Sequence, residues 1–342
     1  MQRTRRLGVL GTLVWDTIWT VDDVRRGEPF TSWGGIAYSL AGAAAARPDG
    51  WEIVPIIKVG KDLEAEARAH LATLPGFSVG PSVMPVDVPN NRVELRYTDG
   101  ANRGERQSGG IPGWEWHELE PHLAGLDALF VNFISGAELS LETAERLRDA
   151  FPSPLYTDLH SLFLGPPGEH QRAYRRLPDW ERWMSCFDGV QLNEDELAML
   201  AAAGESADET MRRMLARGPS LIALTMGARG AAYVAHTSAA DVHAWPVRRQ
   251  GRGRASTVSD SGPSVKSAFR GGVVPPREPS ATGDPTGAGD VWGVTLFSTL
   301  LAGLPLEDAM RAAHAAAGRK LHHRGASDLY AHLAATDRDS DP

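Results

Sequence analysis

A short turn near the C-terminus holds the residues best suited to chemistry. Residues 284–290 run Asp-Pro-Thr-Gly-Ala-Gly-Asp, and an apolar stretch that predicts a buried helix follows at once. Gly287, Ala288 and Gly289 are small enough for the backbone to approach a ligand. The first N–H groups of a helix lack internal partners and lie at the positive end of its dipole, so this turn predicts an anion site. Asp290 beside a bound phosphate would be unfavourable unless it accepted a proton, which predicts a general base for a hydroxyl nucleophile.

The same turn has a purely structural interpretation. Asp290 would then cap the N-terminus of the helix, and the glycines would only reverse the direction of the chain. Short motifs match by chance, so the choice between the two interpretations depends on the elements that would have to position this turn.

Composition restricts the class of protein. The chain has 342 residues, 42% of them hydrophobic, which is enough for one large α/β domain or two smaller ones. Its formal net charge of -8 argues against a nucleic-acid partner, and no apolar run reaches the roughly 18 residues of a membrane span. The single cysteine, Cys186, excludes an intrachain disulfide and a multi-cysteine metal site. We therefore expect a soluble, cytoplasmic protein that binds neither nucleic acid nor membranes.

Strand and helix patterns alternate along most of the chain. Buried strands are predicted over 7–16, 129–133, 154–160, 189–192 and 220–226. Helices between them, including one over 171–184, predict a parallel sheet covered on both faces, with ligands at the carboxyl ends of the strands. The polar residues expected at or just past these ends, and hence in one cleft, are Asp16, Asp158, Asn193, Thr225 and Asp290.

The last residues of the chain, 336–342, are predicted to form a polar tail. Alternating stretches near 15–33 and 91–108 predict strands of a small β sheet that lies over the cleft. Residues 248–281 begin with a basic run and continue with Ser, Gly and Pro, a composition that cannot bury enough surface to offset its ordering entropy. We expect a mobile insertion there.

The turn resembles the C-terminal signature Asp-Thr-x-Gly-Ala-Gly-Asp of the ribokinase-like (PfkB) carbohydrate and nucleoside kinases, with Pro in place of the Thr. Other stretches match motifs of that family in the same order along the chain. They are Asp16, the Gly-Gly pair at 34–35, Asn-Glu-Asp-Glu at 193–196 and Thr-Met-Gly-Ala-Arg-Gly at 225–230. The resemblance covers nearly the full chain. It implies a single domain over residues 1–335 with a three-layer α/β/α fold and a mostly parallel central sheet. In the family, the small sheet near 15–33 and 91–108 is a β lid.

The resemblance also implies roles for individual residues. Catalysis is implied for Asp290 with Gly287, Ala288 and Gly289. Substrate contacts are implied for Asp16, Gly34, Gly35, Asp158 and Ser39, the last standing where the family has Asn. Nucleotide contacts are implied for Asn193, Thr225, Gly227, Gly230, Thr286 and His314. Glu196 would hold Mg²⁺ through water, and Asp284 is a candidate ligand for a monovalent cation such as K⁺.

From these residues we expect an ATP-dependent kinase that phosphorylates a hydroxyl group of a small sugar or nucleoside, with Asp290 as general base. The sequence does not name the acceptor. The alternative is a sensor that binds nucleotide or sugar on the same fold without turnover; Ser39 and the insertion favour it, whereas the intact Gly-Ala-Gly-Asp opposes it. A dimer formed through the lid is a further option that the resemblance leaves open.

Overall fold

A computed structural model describes residues 3–97, 103–165, 172–236, 242, 269–277 and 283–335. Twelve strands are present in this part of the chain: β1 (Arg5–Trp19), β2 (Phe30–Gly35), β3 (Trp51–Gly60), β4 (Val83–Val86), β5 (Arg92–Tyr97), β6 (Arg103–Ser108), β7 (Ala128–Asn132), β8 (Leu155–Asp158), β9 (Gly189–Asn193), β10 (Leu221–Thr225), β11 (Ala231–His236) and β12 (Phe269–Val274). Within the described ranges, no helix is long and apolar enough to cross a membrane.

Eleven α-helices accompany these strands in the described residues: α1 (Val21–Arg26), α2 (Ile36–Ala45), α3 (Glu64–Ala72), α4 (Trp116–Leu123), α5 (Leu141–Ala150), α6 (Trp180–Ser185), α7 (Glu194–Leu200), α8 (Ala207–Leu215), α9 (Ala288–Leu301), α10 (Leu306–Leu321) and α11 (Leu329–Ala334). The helix α9 is apolar nearly all round and packs against both α2 and α10. It therefore holds the end of the turn at 284–290 firmly against the body of the protein.

The central sheet has the strand order β12-β11-β10-β9-β8-β7-β1-β3-β4. Neighbours from β4 through β10 along this order are parallel, and only β11 and β12 run antiparallel to their neighbours. The parallel strands end on the same edge, as the sequence predicted. Polar residues at these strand ends therefore meet in one region.

The sheet buries both of its faces, which explains why its strands are continuous apolar runs. Two clusters of buried side chains lie on the two faces. One cluster includes Leu7, Ile36, Leu71, Val294 and Met310. The other includes Leu119, Leu147, Trp183, Leu197 and Met214. The predicted three-layer α/β/α architecture is confirmed.

A second, smaller sheet forms the predicted lid. The outer part of β1 pairs antiparallel with β2 and parallel with β5, which in turn pairs antiparallel with β6. The stretch near 15–33 is not strand throughout, because its middle forms the short helix α1 between β1 and β2. Thr20 and Asp23 form a capping box at its start, and Gly27 ends it with φ of 74°.

Two further expectations need correction. Residues 269–274 of the predicted mobile insertion form β12, paired with β11 in the central sheet. The parts at 248–268 and 278–281, like the tail at 336–342, lie outside the described residues. The helix expected over 171–184 is confined to Trp180–Ser185, because Pro178 and the left-handed Asp179 (φ 50°) interrupt it.

Candidate active site

A cavity of about 230 Å³ opens at the carboxyl ends of the parallel strands, beneath the lid. Ten of the predicted site residues line it: Asp16, Gly35, Asp158, Asn193, Glu196, Thr225, Thr286, Gly287, Gly289 and Asp290. Val93, Leu95 and Glu105 add a wall from the lid. The structure therefore gathers residues from six separate segments of the chain into one cleft. Their chemical roles remain predictions.

Asp290 lies in the first turn of α9, not at its N-cap. The N-cap is Gly287, with φ of 77°, so the capping interpretation of Asp290 is wrong. Asn132, the last residue of β7, donates from Nδ2 to Asp290 Oδ1 at 2.6 Å and to Ser39 Oγ at 2.9 Å. Asn132 is buried and therefore fixes the orientation of the Asp290 carboxylate.

Ser39, which was predicted to contact substrate, is not among the described residues that line the cavity. Its side chain is completely buried, and its hydroxyl accepts from Asn132 while lying 3.5 Å from the backbone oxygen of Asp290. Sequence reasoning missed Asn132, which brings an amide to the cleft from a different strand. The available signal was an amide at the end of a strand whose other residues are all apolar.

Glycines give the cleft its shape at two points. A Cβ atom on Gly34 would lie 1.7 Å from Asp16 Oδ2, so Gly34 makes room for the Asp16 carboxylate and does not itself line the cleft. A Cβ atom on Gly287 would lie 2.2 Å from Cγ of Tyr38. The turn that starts α9 can therefore approach the buried Tyr38 ring only because residue 287 is glycine.

The lid contacts the turn at 284–290 directly. Tyr97, at the end of β5, has its hydroxyl oxygen 2.6 Å from Oγ1 of Thr286. This bond uses the side chain that was predicted to contact nucleotide. It also joins the lid sheet to the turn that carries Asp290.

Asp158 is a buried carboxyl group at the end of β8. Its Oδ2 accepts from Gln191 Nε2 at 2.7 Å, and its Oδ1 accepts from the backbone N–H of His160 at 3.0 Å. Burial, reinforced by the negative charges of Glu196 and Asp290, raises the pKa of Asp158 to about 7, against a smaller opposing effect of His160. Asp158 can therefore hold a proton near neutral pH, and a cation bound in the cleft would favour its release.

The raised pKa of Asp158 predicts a dependence of stability on pH. Between the usual pKa near 3.8 and about 7, the folded protein holds a proton that the unfolded chain has released, so stability falls as the pH rises through this window. Asp158→Asn removes the effect, and we expect its stability relative to wild type to rise by about 1.4 kcal/mol or more between pH 5 and pH 8. Urea unfolding at both pH values measures this. If the difference in unfolding free energy between Asp158→Asn and wild type were the same at both pH values, the buried carboxyl group would not be protonated.

Glu196 is held by protein groups. Asn193 donates to it from its backbone N–H at 2.8 Å and from Nδ2 at 2.7 Å, and His160 Nδ1 lies 2.6 Å from its Oε1. In the described part of the chain, no three His, Cys, Asp or Glu side chains are arranged to hold a metal ion directly. Mg²⁺ retains several water ligands and binds mainly through phosphates. A water-mediated role at Glu196 therefore fits this arrangement.

The predicted nucleotide loop follows β10. Thr225 lines the cleft, and Gly227 and Gly230 have φ of 57° and 91°, which favours glycine at both positions. His314 uses both ring nitrogens within the protein, because Nδ1 accepts from Trp292 Nε1 at 3.0 Å and Nε2 lies 2.8 Å from the Val274 carbonyl oxygen. The structure therefore opposes a hydrogen bond from His314 to a nucleotide base.

The predicted K⁺ site at Asp284 does not fit an ion. The ammonium group of Lys320 lies 3.1 Å from the Asp284 carbonyl oxygen, 3.4 Å from its Oδ2 and 2.9 Å from the carbonyl oxygen of His323. These oxygens are the kind that a monovalent cation would use, and a lysine side chain already fills the space among them. The sequence interpretation missed Lys320, which is completely buried.

Comparison with known proteins gives the same fold. The model of the pfkB family carbohydrate kinases matches residues 258–332. Ribokinase from Thermotoga maritima aligns with 96% of this chain and 98% of its own at 16% identity and a TM-score of 0.69. A sulfate complex of a pyrophosphate-dependent kinase in the ribokinase family aligns with 96% of this chain and 100% of its own, at 16% identity and a TM-score of 0.70. A nucleoside kinase of Burkholderia thailandensis in complex with inosine aligns with 96% of this chain and 95% of its own, at 16% identity and a TM-score of 0.63.

No curated protein sequence matches the chain. At such low identity the structural similarities establish the fold alone. Together with the family match over the segment that contains the turn, they confirm the resemblance to the PfkB group.

Proposed function

We propose that this chain, which has the ribokinase-like fold and the pfkB signature, is a kinase that transfers the γ-phosphoryl group of ATP to a hydroxyl group of a small sugar or nucleoside. One observation carries the proposal. The Asp290 carboxylate lies in the first turn of α9, is oriented by Asn132, and shares a cleft with Asp16 and the glycine turn. A base, an anion site and a hydroxyl-binding carboxylate are the parts that this reaction needs.

The proposed mechanism assigns one step to each part. Asp16 accepts hydrogen bonds from hydroxyl groups of the acceptor and so positions the attacking oxygen. Asp290 takes the proton of that hydroxyl as its oxygen forms a bond to the γ-phosphorus and the bond to the β-phosphate oxygen breaks, releasing ADP. The N–H groups at the start of α9 stabilise the charge on the transferring group. Mg²⁺, bound with the nucleotide and held through water by Glu196, would neutralise phosphate charge.

The charges in the cleft favour a neutral acceptor. Five carboxyl groups line the cavity, and their residues are Asp16, Glu105, Asp158, Glu196 and Asp290. His160 is the one basic side chain in the described lining. A phosphate group already present on the acceptor would therefore be repelled by these carboxylates, at the place where the acceptor's hydroxyl groups must bind. Polyols, sugars and nucleosides without phosphate fit better than sugar phosphates.

The test measures phosphoryl transfer to three acceptor panels, namely sugars, nucleosides and sugar phosphates. Each panel is run with Mg-ATP and with Mg-pyrophosphate, because pyrophosphate-dependent kinases are among the structurally similar proteins. We expect acceptor-dependent release of ADP with a neutral acceptor. Product formed only with pyrophosphate would replace the donor in the proposal. Nucleotide binding without product from any panel would favour the sensor.

A further inference from the structure

We propose that the ammonium group of Lys320 is the built-in cation of the turn at 284–290, so that this chain needs no exchangeable K⁺ there. Lys320 is a positioning residue in this proposal, since it does not line the cleft. The consequence for turnover rests on the proposed function. The consequence for the order and stability of the turn is independent of the proposed function.

Lys320 joins two segments that must meet to form the turn. Its ammonium contacts Asp284 through both the carbonyl oxygen and the carboxylate, and it donates to the His323 carbonyl just beyond the end of α10. The backbone N–H of Asp284 donates to the carbonyl oxygen of Leu321 at 2.9 Å, so the same two segments also share a main-chain bond. The ammonium thus lies where the negative end of the α10 dipole meets the start of the turn.

The contact extends from Lys320 to the anion site. Asp284 Oδ1 accepts from the backbone N–H of Thr286 at 3.0 Å, which places the carboxylate inside the turn itself. The ammonium also lies 5.3 Å from the centroid of the Tyr38 ring, the same ring that Gly287 approaches. The Tyr38 ring therefore packs between the Lys320 ammonium and Gly287. A shift of the Lys320 side chain would be transmitted through this ring to Gly287.

The electrostatic balance of this region depends on the ammonium group. Burial lowers the pKa of Lys320, whereas the charges of Asp284, Asp290 and Asp16 act in the opposite direction. Removing the Lys320 ammonium would leave the Asp284 carboxylate without a compensating charge, and the loss of one member of a buried ion pair is strongly destabilising. Lys320 therefore supplies a buried positive charge that offsets the carboxylates beside the turn.

Two substitutions separate charge from volume. Lys320→Ala removes the ammonium and leaves space among the oxygens for an ion, whereas Lys320→Met removes the charge and fills the space with an apolar chain. We expect both to lower Tm by roughly 6–10 °C. KCl should restore part of the loss in Lys320→Ala compared with tetramethylammonium chloride at equal ionic strength, and it should not do so in Lys320→Met.

Lys58 offers a matched control. It is also buried, donates to the Gly113 carbonyl at 2.8 Å and to Glu118 at 2.6 Å, and lies 5.0 Å from the centroid of the Trp114 ring. It does not contact the turn. Lys58→Ala should lower Tm without a specific response to K⁺ and without changing the affinity for Mg-ATP measured by calorimetry, whereas Lys320→Ala should weaken that affinity in tetramethylammonium chloride.

The wild-type protein gives the decisive comparison, since it requires no variant to fold. Its Tm should be the same in KCl and in tetramethylammonium chloride. A wild-type Tm that rises specifically in KCl would overturn the proposal, as would rescue of Lys320→Met by KCl. Because Tm is measured without turnover, absence of phosphoryl transfer would refute the proposed function and leave this test unaffected.

Discussion

Asp290→Asn is expected to lower turnover by about 10²–10⁴-fold, the usual contribution of a general base, while nucleotide binding is retained. Asparagine keeps the shape of the side chain and a carbonyl oxygen that can accept from Asn132 Nδ2. It cannot take the proton of the attacking hydroxyl. Steady-state kinetics with the best acceptor measures the loss, and calorimetry with Mg-ATP measures binding.

Asp308→Asn is the matched control for this variant. Asp308 is an exposed carboxylate in the first turn of α10, as Asp290 is in the first turn of α9, and it does not line the cleft. If Asp290 acted only through its charge at a helix N-terminus, both variants would change stability slightly and leave turnover intact. Turnover of Asp290→Asn within a few-fold of wild type would rule out its role as base.

The sequence could predict the central sheet and the cleft because these depend on local periodicity. Apolar runs with helices between them require parallel strands buried on both faces, and parallel strands end at a common edge. Asp16 and Asp158 follow from that rule alone, since each lies at or near such an end. The common edge of the parallel strands, and not any individual motif, made a single cleft predictable.

The rest of the site depends on contacts between distant segments. Asn132 reaches Asp290 across 158 positions, and Ser39 reaches Asn132 across 93. Lys320 meets Asp284 only because α10 returns to the turn. In the sequence Lys320 is one lysine in the last turn of an Ala-rich helix, where an exposed position is the ordinary expectation. No local pattern distinguishes it from a surface residue.

The short helix α1 lies in a stretch that was predicted to be strand, although local signals for a helix are present. Its sequence carries a capping box, Thr20 with Asp23, and a left-handed glycine at Gly27, both of which are local helix signals. Six residues are too few for apolar periodicity to emerge. Arg324 pairs with Asp23 and holds the pKa of that carboxyl well below its usual range, so tertiary contacts complete the helix.

Gly287→Ala is the second variant with a large expected effect, because it changes the anion site without removing a functional group. Alanine at a φ of 77° costs about 1–2 kcal/mol for the backbone alone. Its Cβ would also lie 2.2 Å from Cγ of Tyr38, a ring that is buried and packed against Lys320. Because the ring has little room to move, the turn must shift instead. A displacement of about 1 Å at a reacting centre can cost about 10²-fold in rate, so turnover should fall at least that far.

Gly50→Ala separates the two costs. Gly50 has a φ of 75°, almost the same as Gly287, but a Cβ there would meet no atom within 4 Å. It precedes β3 and thus lies at the opposite edge of the sheet from the cleft. Urea unfolding should show a similar backbone penalty in both variants, with an additional loss in Gly287→Ala, and only Gly287→Ala should lose turnover. Equal turnover in the two variants would show that the N-terminus of α9 does not position the transferring phosphoryl group.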